Sequence, residues 1–505
     1  MSTIWSLNYH EVLEDARVLK QARVLAGAGH DVTVFSHFPE GRPKFQKLDR
    51  INIQRFAWAD FASLRDSDKQ AFEFLEPSCH SLLANFSTLV DQAEQLRSIE
   101  HAMAEREQLI GNLNGPVSVY KPSYYQQHSG LKRLRRKIRH KKAVRELRSK
   151  KDGETAPNLL HIDGKPPSKR HLRELKKAAR ESFRDLYQGK ALVFAANLMR
   201  EEFTGKPDVV HAHDIYTLPA GVLLAKQYSC RLIYDAHELE IARATLVGPE
   251  NKEMVDLLEA ACLSHVDALI TVSDGIADEY RKRYSKSDPV LVLNSPVIGL
   301  TPEQAKKDKV DVRSLIGLPD DIPLLVFTGG VQREHRGLDK VVAAMAACPG
   351  VHLVVMGPRH ATNDPWLCEH AEHWGVKDRL HLLDPVPADE VVGAISGGSA
   401  AIIPIQGVSK SYEMAMPNKL FEAAFARLPI LVSDLPEMGK FVREHQLGIV
   451  MDHTSTEGIA TAIREYLAEP QTYIQSAATQ KTLNDGYSWN AQAKALTDLY
   501  DNIGE

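Results

Sequence analysis

Residues 411–434 read SYEMAMPNKLFEAAFARLPILVSD. The stretch opens with lysine, glutamate and proline at the start of a helical pattern, and an apolar β-branched run follows directly. Pro417 suits the first turn of a helix, because its missing N–H is one that a helix start leaves unpaired anyway. The apolar run LPILVSD that follows is too short for a second helix and reads as a buried strand. A helix feeding straight into a buried strand is half of a βαβ unit, so the stretch predicts a parallel sheet covered by helices.

The same pattern recurs in two blocks. The first holds TIWSL, the helix ARVLKQARVLAGAG, HDVTVFS, DVVHAHD, the helix PAGVLLAKQY, RLIYDAHE, DALITVSD, the helix GIADEYRKRY and PVLVLNSP. The second begins near residue 322 with PLLVFTGG, LDKVVAAMAA, VHLVVMGP, RLHLLDP and AAIIPIQ, then the opening stretch and GIVMD. A polar, proline-bearing segment at 299–321 separates them and reads as a hinge. At 505 residues the chain is long enough for two or three domains with sizeable cores.

Lys and Arg number 62 against 66 Asp and Glu, for a net charge of −4, so no global basicity points to nucleic acid. The charge is locally uneven. Residues 130–151, GLKRLRRKIRHKKAVRELRSKK, carry about a dozen basic residues against one acid. They lie in an interruption of the first block, about 59–190, that reads as helical. Its narrow apolar stripe of Leu131, Leu134 and Ile138 favours either adhesion to an anionic membrane surface or a solvated hairpin. Basic and aromatic residues are not interleaved as a nucleic-acid module requires. The five cysteines are widely spaced and read as reduced core thiols of a cytoplasmic protein. The N-terminus has no signal-peptide pattern, and no run is long enough to span a bilayer.

Open parallel sheets bind ligands outside the carboxyl ends of their strands. Strand ends in the first block carry His211, His213 and Asp214, then Asp235, His237 and Glu238, then Ser273 and Asp274. The HAH spacing puts two imidazoles on one face, but no third ligand follows from spacing, and no metal is expected. In the second block, Gly329 and Gly330 follow a strand and let backbone approach a ligand. Arg336, just before a helix, fits a diphosphate. In the opening stretch the amides of Asn418, Lys419, Leu420 and Phe421 form an anion site at the helix start, and Lys419 adds charge. Glu422 offers two acceptor oxygens to a ribose diol.

In this order, HAHDIYTLPAG, IYDAHE, ITVSDGIADEY, NSP, TGG, RGLDKVVAA, VVMG, PNKLFEAA and LPILVSD resemble the family-four retaining glycosyltransferases of the GT-B fold, in a PNKLFE/RGL subgroup. The resemblance leaves out the basic interruption. It implies two Rossmann-like domains facing a cleft, 1–298 on the acceptor side with the helical basic insertion and 322–486 for the nucleotide sugar. The segment 487–505, with YSWNAQAKALTDLY, resembles the family's last helix, which returns to the N-terminal domain. The implied roles are the donor diphosphate for Arg336, the ribose for Glu422 and the reacting sugar for His213, with a nucleotide-diphosphate sugar as substrate and no metal or other cofactor. The acceptor would be a glycan or lipid-linked sugar, in cell-surface polysaccharide or glycoconjugate synthesis, at the cytoplasmic face of a membrane. The family's usual pair of glutamates is incomplete, since Met414 stands eight residues before Glu422 and Glu413 is one place off. Glu413, or backbone groups between Met414 and Pro417, would have to serve the sugar hydroxyls. Rival readings are a sugar-nucleotide epimerase, which the insertion does not suit, and a scaffold that binds glycan or membrane without turnover.

Overall fold

The computed structural model describes residues 1–37, 41–56, 68–72, scattered positions between 91 and 103, 173, 187–244, 249–284 and 288–503. The basic run at 130–151, and most of the insertion, lie outside the described residues. Contacts divide the chain into two units, Met1–Phe56 with Phe203–Glu505, and Ala57–Glu202. The second unit contributes the helices Asp68–Ala71 and Tyr187–Leu198, and within it Arg200 pairs with Asp68 at 2.5 Å.

The first unit holds two sheets. The N-terminal sheet has eight strands: β1 (Thr3–Leu7), β2 (Asp31–His37), β3 (Phe45–Leu48), β4 (Ile51–Phe56), β5 (Val209–His213), β6 (Arg231–Asp235), β7 (Ala268–Thr271) and β8 (Val290–Leu291). Their order is β3-β4-β2-β1-β5-β6-β7-β8, parallel apart from the β3–β4 pair. The C-terminal sheet comprises β9 (Leu324–Thr328), β10 (His352–Met356), β11 (Leu380–Leu383), β12 (Ala400–Ile403), β13 (Ile430–Ser433) and β14 (Gly448–Met451). Its order is β11-β10-β9-β12-β13-β14, all parallel.

Both faces of the C-terminal sheet are covered, as a parallel sheet requires. Alternation along β9 shows it: Leu324 and Val326 join one apolar cluster, Leu325 and Phe327 the other. Strand order reverses between β1 and β5 and between β9 and β12, so each sheet opens a crevice there for polar groups.

The helices that position the site are α1 (Ala16–Gly27), α2 (Asp214–Tyr228), α3 (Asp274–Tyr284), α4 (Leu338–Ala346), α5 (Lys410–Glu413), α6 (Asn418–Phe425), α7 (Pro436–Glu444) and α8 (Trp489–Ile503). Helix α2 begins five residues before Pro219, where the sequence pattern starts it. The Thr217 hydroxyl donates to the His213 carbonyl at 2.7 Å in that first turn. Segment 299–321, expected as a hinge, contains the short helices Pro302–Asp308 and Val312–Ile316. Val312 is buried in the C-terminal core, and Arg313 donates to the Gly397 carbonyl and the Ser399 hydroxyl. Helix α8 lies against the N-terminal sheet, where Leu496 and Tyr500 join the apolar cluster of Ile4, Val209 and Ile233.

Candidate active site

Thr328 ends β9 and organises the side chains at that strand end. Its carbonyl accepts a 2.6 Å hydrogen bond from Lys419 Nζ, and its hydroxyl donates at 2.7 Å to Glu422. Lys419 is buried, with Nζ 4.0 Å from the centre of the Phe327 ring. Burial, and then the neighbouring Arg336, hold its ammonium well below the usual lysine range, against the pull of Glu422. Burial raises the Glu422 carboxyl, against the Thr328 hydrogen bond and the attraction of Lys419 and Lys20.

Gly329 shows where two cations converge. Its φ is +125°, and a Cβ there would lie 2.9 Å from Arg336 Nη1 and 3.1 Å from Lys419 Nζ. Arg336 Nε donates to Gln332 at 3.0 Å, and burial lowers the pKa of its guanidinium. Two cations held this close repel, and a diphosphate would relieve the repulsion. A Cβ on Gly330 would sit 3.0 Å from the Pro358 carbonyl, so the loops after β9 and β10 touch at backbone distance. Gly337, also at positive φ, starts α4 beneath Arg336.

Helix α6 begins at Pro417 with no side-chain cap, which leaves its first turn without a side-chain acceptor. Of the four expected amides, Leu420 does not fit the role, because its N–H is taken by the Pro417 carbonyl at 2.9 Å. The side chains of Leu420 and Phe421 are fully buried in the core, so neither reaches a ligand. They anchor the helix that carries Lys419 and Glu422.

Across the cleft, Asp235 is the centre of a buried cluster at the end of β6. Arg17 of α1 holds both its oxygens, at 2.9 and 2.7 Å, and Gln21 donates at 2.8 Å. His213 Nδ1 and His237 Nε2 lie 3.3 and 3.4 Å from Asp235 Oδ2. Desolvation alone would raise the Asp235 carboxyl, but Arg17 and His237 outweigh it and hold it well below the usual range. The ring of His211 stacks on His213 at 4.2 Å, and its Nδ1 lies 2.9 Å from the Tyr500 hydroxyl on α8. Burial lowers the pKa of both imidazoles, so they are neutral.

His213, expected beside the reacting sugar, is only 2 % exposed. Its Nε2 lies 3.1 Å from the Ser6 hydroxyl, and its Nδ1 faces Asp235 and, at 3.3 Å, His237. Both nitrogens are thus engaged inside the protein. His237 is the more open imidazole, at 17 %, and its Nδ1 lies 3.4 Å from Asp214. Burial would lower its pKa, but Asp214 and Asp235 raise it above the ordinary value, which favours an imidazolium. Strand-end position alone did not separate these two residues; the signal was the strand register, which pairs His213 with Asp235 and leaves His237 two residues beyond the strand.

His211, His213 and Asp235 bring three ligand atoms within 4.8 Å of one another. Arg17 donates to both Asp235 oxygens, so a divalent cation bound there would compete with the guanidinium for them and be repelled by its charge.

The two edges face each other. Lys410 of α5 pairs with Glu279 of α3 at 2.6 Å, and the Glu437 carboxylate of α7 lies against Gly275. Met414 sits against Gly275, whose added Cβ would meet its Cγ at 3.2 Å. Lys20 of α1 donates to Asn294 Oδ1 and the Ser295 carbonyl at 2.8 and 2.6 Å, within the field of Glu422.

A glycosyl transferase 4-like domain matches residues 164–295, and a glycosyl transferases group 1 domain matches 322–469, together more than half of the chain. Glycogen synthase of Mycobacterium tuberculosis is 23 % identical over 326 residues, covering 62 % of this chain and 74 % of that one. D-inositol 3-phosphate glycosyltransferase of Rhodococcus jostii is 23 % identical over 321 residues, covering 61 % and 70 %. Sucrose-phosphate synthase from Thermosynechococcus elongatus has a similar fold, with a TM-score of 0.59 at 13 % identity over 100 % of this chain and 99 % of that one. WaaG, a glycosyltransferase involved in lipopolysaccharide biosynthesis, has a TM-score of 0.51 at 12 % identity, covering 98 % and 99 %. These likenesses agree with the two facing parallel sheets and with the cationic strand end at the C-terminal switch point: the chain belongs to the GT-B glycosyltransferases.

Proposed function

We propose that the chain moves a neutral or charged sugar from a nucleoside-diphosphate donor to a glycan or lipid-linked acceptor, with retention at the anomeric carbon and without a metal. The observation that carries the donor half is the convergence of Arg336 and Lys419 on Gly329, beside Glu422. In this reading Arg336, Lys419 and the first turn of α6 hold the diphosphate, and Glu422 accepts hydrogen bonds from the ribose. The bond from the anomeric carbon to the diphosphate oxygen breaks, and the acceptor oxygen bonds to the same face of that carbon. The acceptor proton passes to the departing diphosphate oxygen. Arg336 and Lys419 stabilise the charge that develops there, which is electrostatic work of the kind that dominates such sites.

His237, the open imidazole of the cluster, faces the reacting sugar in this proposal, and His213 holds it in place from below. The relatives named above support transfer chemistry of this kind. The basic run at 130–151 supports a place at the cytoplasmic face of a membrane, where the acceptor of a surface polysaccharide or glycoconjugate would be met. Among the described residues, no helix is long and apolar enough to cross a bilayer.

The test is thermal stability with UDP, GDP, ADP, dTDP and CMP, for wild type and Glu422→Ala. A ligand at a hundred times its Kd stabilises by about 2.7 kcal/mol. One diphosphate stabilising the wild type but not the variant supports the donor site. Stabilisation of both to the same extent, or of neither, rejects it.

A further inference from the structure

The geometry points to Glu238, on the N-terminal side of the cleft, as the carboxylate that holds the hydroxyls of the transferred sugar, and to a neutral sugar as its ligand. The inference rests on the donor site proposed above. It addresses what replaces an acidic group at Met414, a position whose side chain packs onto Gly275 and has no polar atom to offer a hydroxyl.

Three observations carry it. The Glu238 side chain is 49 % exposed, the most open of the acidic groups around His237: Asp214 is 22 % exposed, and Asp235 and Glu240 are buried. Its carboxylate lies 3.4 Å from Arg243 of its own domain, and the loop that carries both residues packs, at Glu240–Ala242, against α5 of the facing domain. A half-exposed carboxylate on a loop that meets the opposite wall lies at the mouth between the two walls. The third observation is Tyr412, whose ring lies 5.5 Å from that of His335, next to Arg336 in the chain, and whose phenol is within the field of Glu238, Arg336 and Arg243. Tyr412 thus links the loop that carries Glu238 to the loop that carries Arg336, the cation that would hold the donor diphosphate.

Glu413 is placed differently. It lies along the loop after β12, where a Cβ on Gly407 would be 3.5 Å from its Cγ and 3.9 Å from Oε1. It belongs to the C-terminal domain's own loop, and Glu238 belongs to the opposite wall.

A carboxylate has only acceptors and takes two hydroxyl donors, as a sugar diol provides. The same charge, with Asp214 beside it, repels the carboxylate of a uronic acid. Recognition from the N-terminal side also means that the sugar, unlike the nucleotide, is gripped only when the cleft is closed.

The experiment compares affinities for nucleotide and nucleotide sugar by calorimetry, using the pair the wild type binds among UDP and UDP-glucose, GDP and GDP-mannose, and ADP and ADP-glucose. Glu238→Gln keeps the size of the residue, and Glu413→Gln is the comparison. The expected result is that Glu238→Gln binds the free nucleotide as wild type does but loses at least fivefold of the gain due to the sugar, while Glu413→Gln keeps that gain. If UDP is bound, UDP-glucuronate should bind at least tenfold more weakly than UDP-glucose to the wild type, and the gap should narrow in Glu238→Gln. Retention of the full sugar gain by Glu238→Gln overturns the inference, as does its loss in Glu413→Gln alone. A wild type that binds none of the nucleotides overturns the donor site itself, a separate failure.

Discussion

Thr328 reaches Lys419 with its carbonyl and Glu422 with its hydroxyl, so one residue at the end of β9 sets both charged groups of α6. The two hydrogen bonds differ in what they fix. The carbonyl holds the cation against the strand end, and the hydroxyl turns the carboxylate toward it.

Thr328→Val removes the second of these and keeps the shape of the side chain. A hydrogen bond to a charged group contributes about 1.5–3 kcal/mol. Nucleotide affinity should fall by about 10- to 100-fold on that scale, with the ribose hydroxyls required for the loss. Calorimetry with a nucleotide and its dideoxyribose analogue checks this, and an equal loss for both would reject the ribose role of Glu422.

Gly329→Ala adds a methyl group between Arg336 and Lys419, at a φ that side chains rarely adopt. The strain alone is of order 1–3 kcal/mol. The variant should unfold at lower denaturant concentration and bind no nucleotide, as read by urea titration and thermal shift. Wild-type nucleotide affinity in a folded Gly329→Ala protein would show that the diphosphate lies elsewhere.

Asp235→Asn leaves Arg17 buried beside a neutral amide. Breaking a buried ion pair from one side costs about 3–5 kcal/mol. Equilibrium unfolding should show a loss of that size, and a loss below about 1 kcal/mol would mean that the cluster tolerates an uncompensated guanidinium.

His237 makes part of the stability depend on pH. Its pKa is raised in the folded chain, and an unfolded histidine titrates near about 6.5. The folded state therefore binds more protons above that pH, so the stabilisation is full below about 6.5 and fades as pH rises through the folded value. The melting temperature of wild type should exceed that of His237→Gln by more at pH 6 than at pH 9. A difference that grows with pH would reverse the sign and place the proton elsewhere.

Much of this was legible in the chain itself. The βα alternation announces both sheets, because a parallel strand buried on two faces reads as a short continuous apolar run. Gly329, Arg336, Lys419 and Glu422 were readable as a group, since all lie just past strand ends or in a helix's first turns. The pair β3–β4 was not read, because FQKL is only four residues and β3 sits antiparallel at the sheet edge. The start of α2 was hidden by Pro219, which usually marks a helix beginning. The bond of Arg17 to Asp235 spans 218 positions and leaves no local pattern. For the same reason sequence alone could not tell the buried His213 from the open His237.

The contact between Tyr500 and His211 has a consequence in time. A sheet begun at Thr3 receives a hydroxyl from α8, and this one contact of the histidine cluster can form only after synthesis has passed residue 500. The nascent chain thus carries the loops after β9 and β10, and all of α6, before it carries the helix that completes the cluster on the opposite wall.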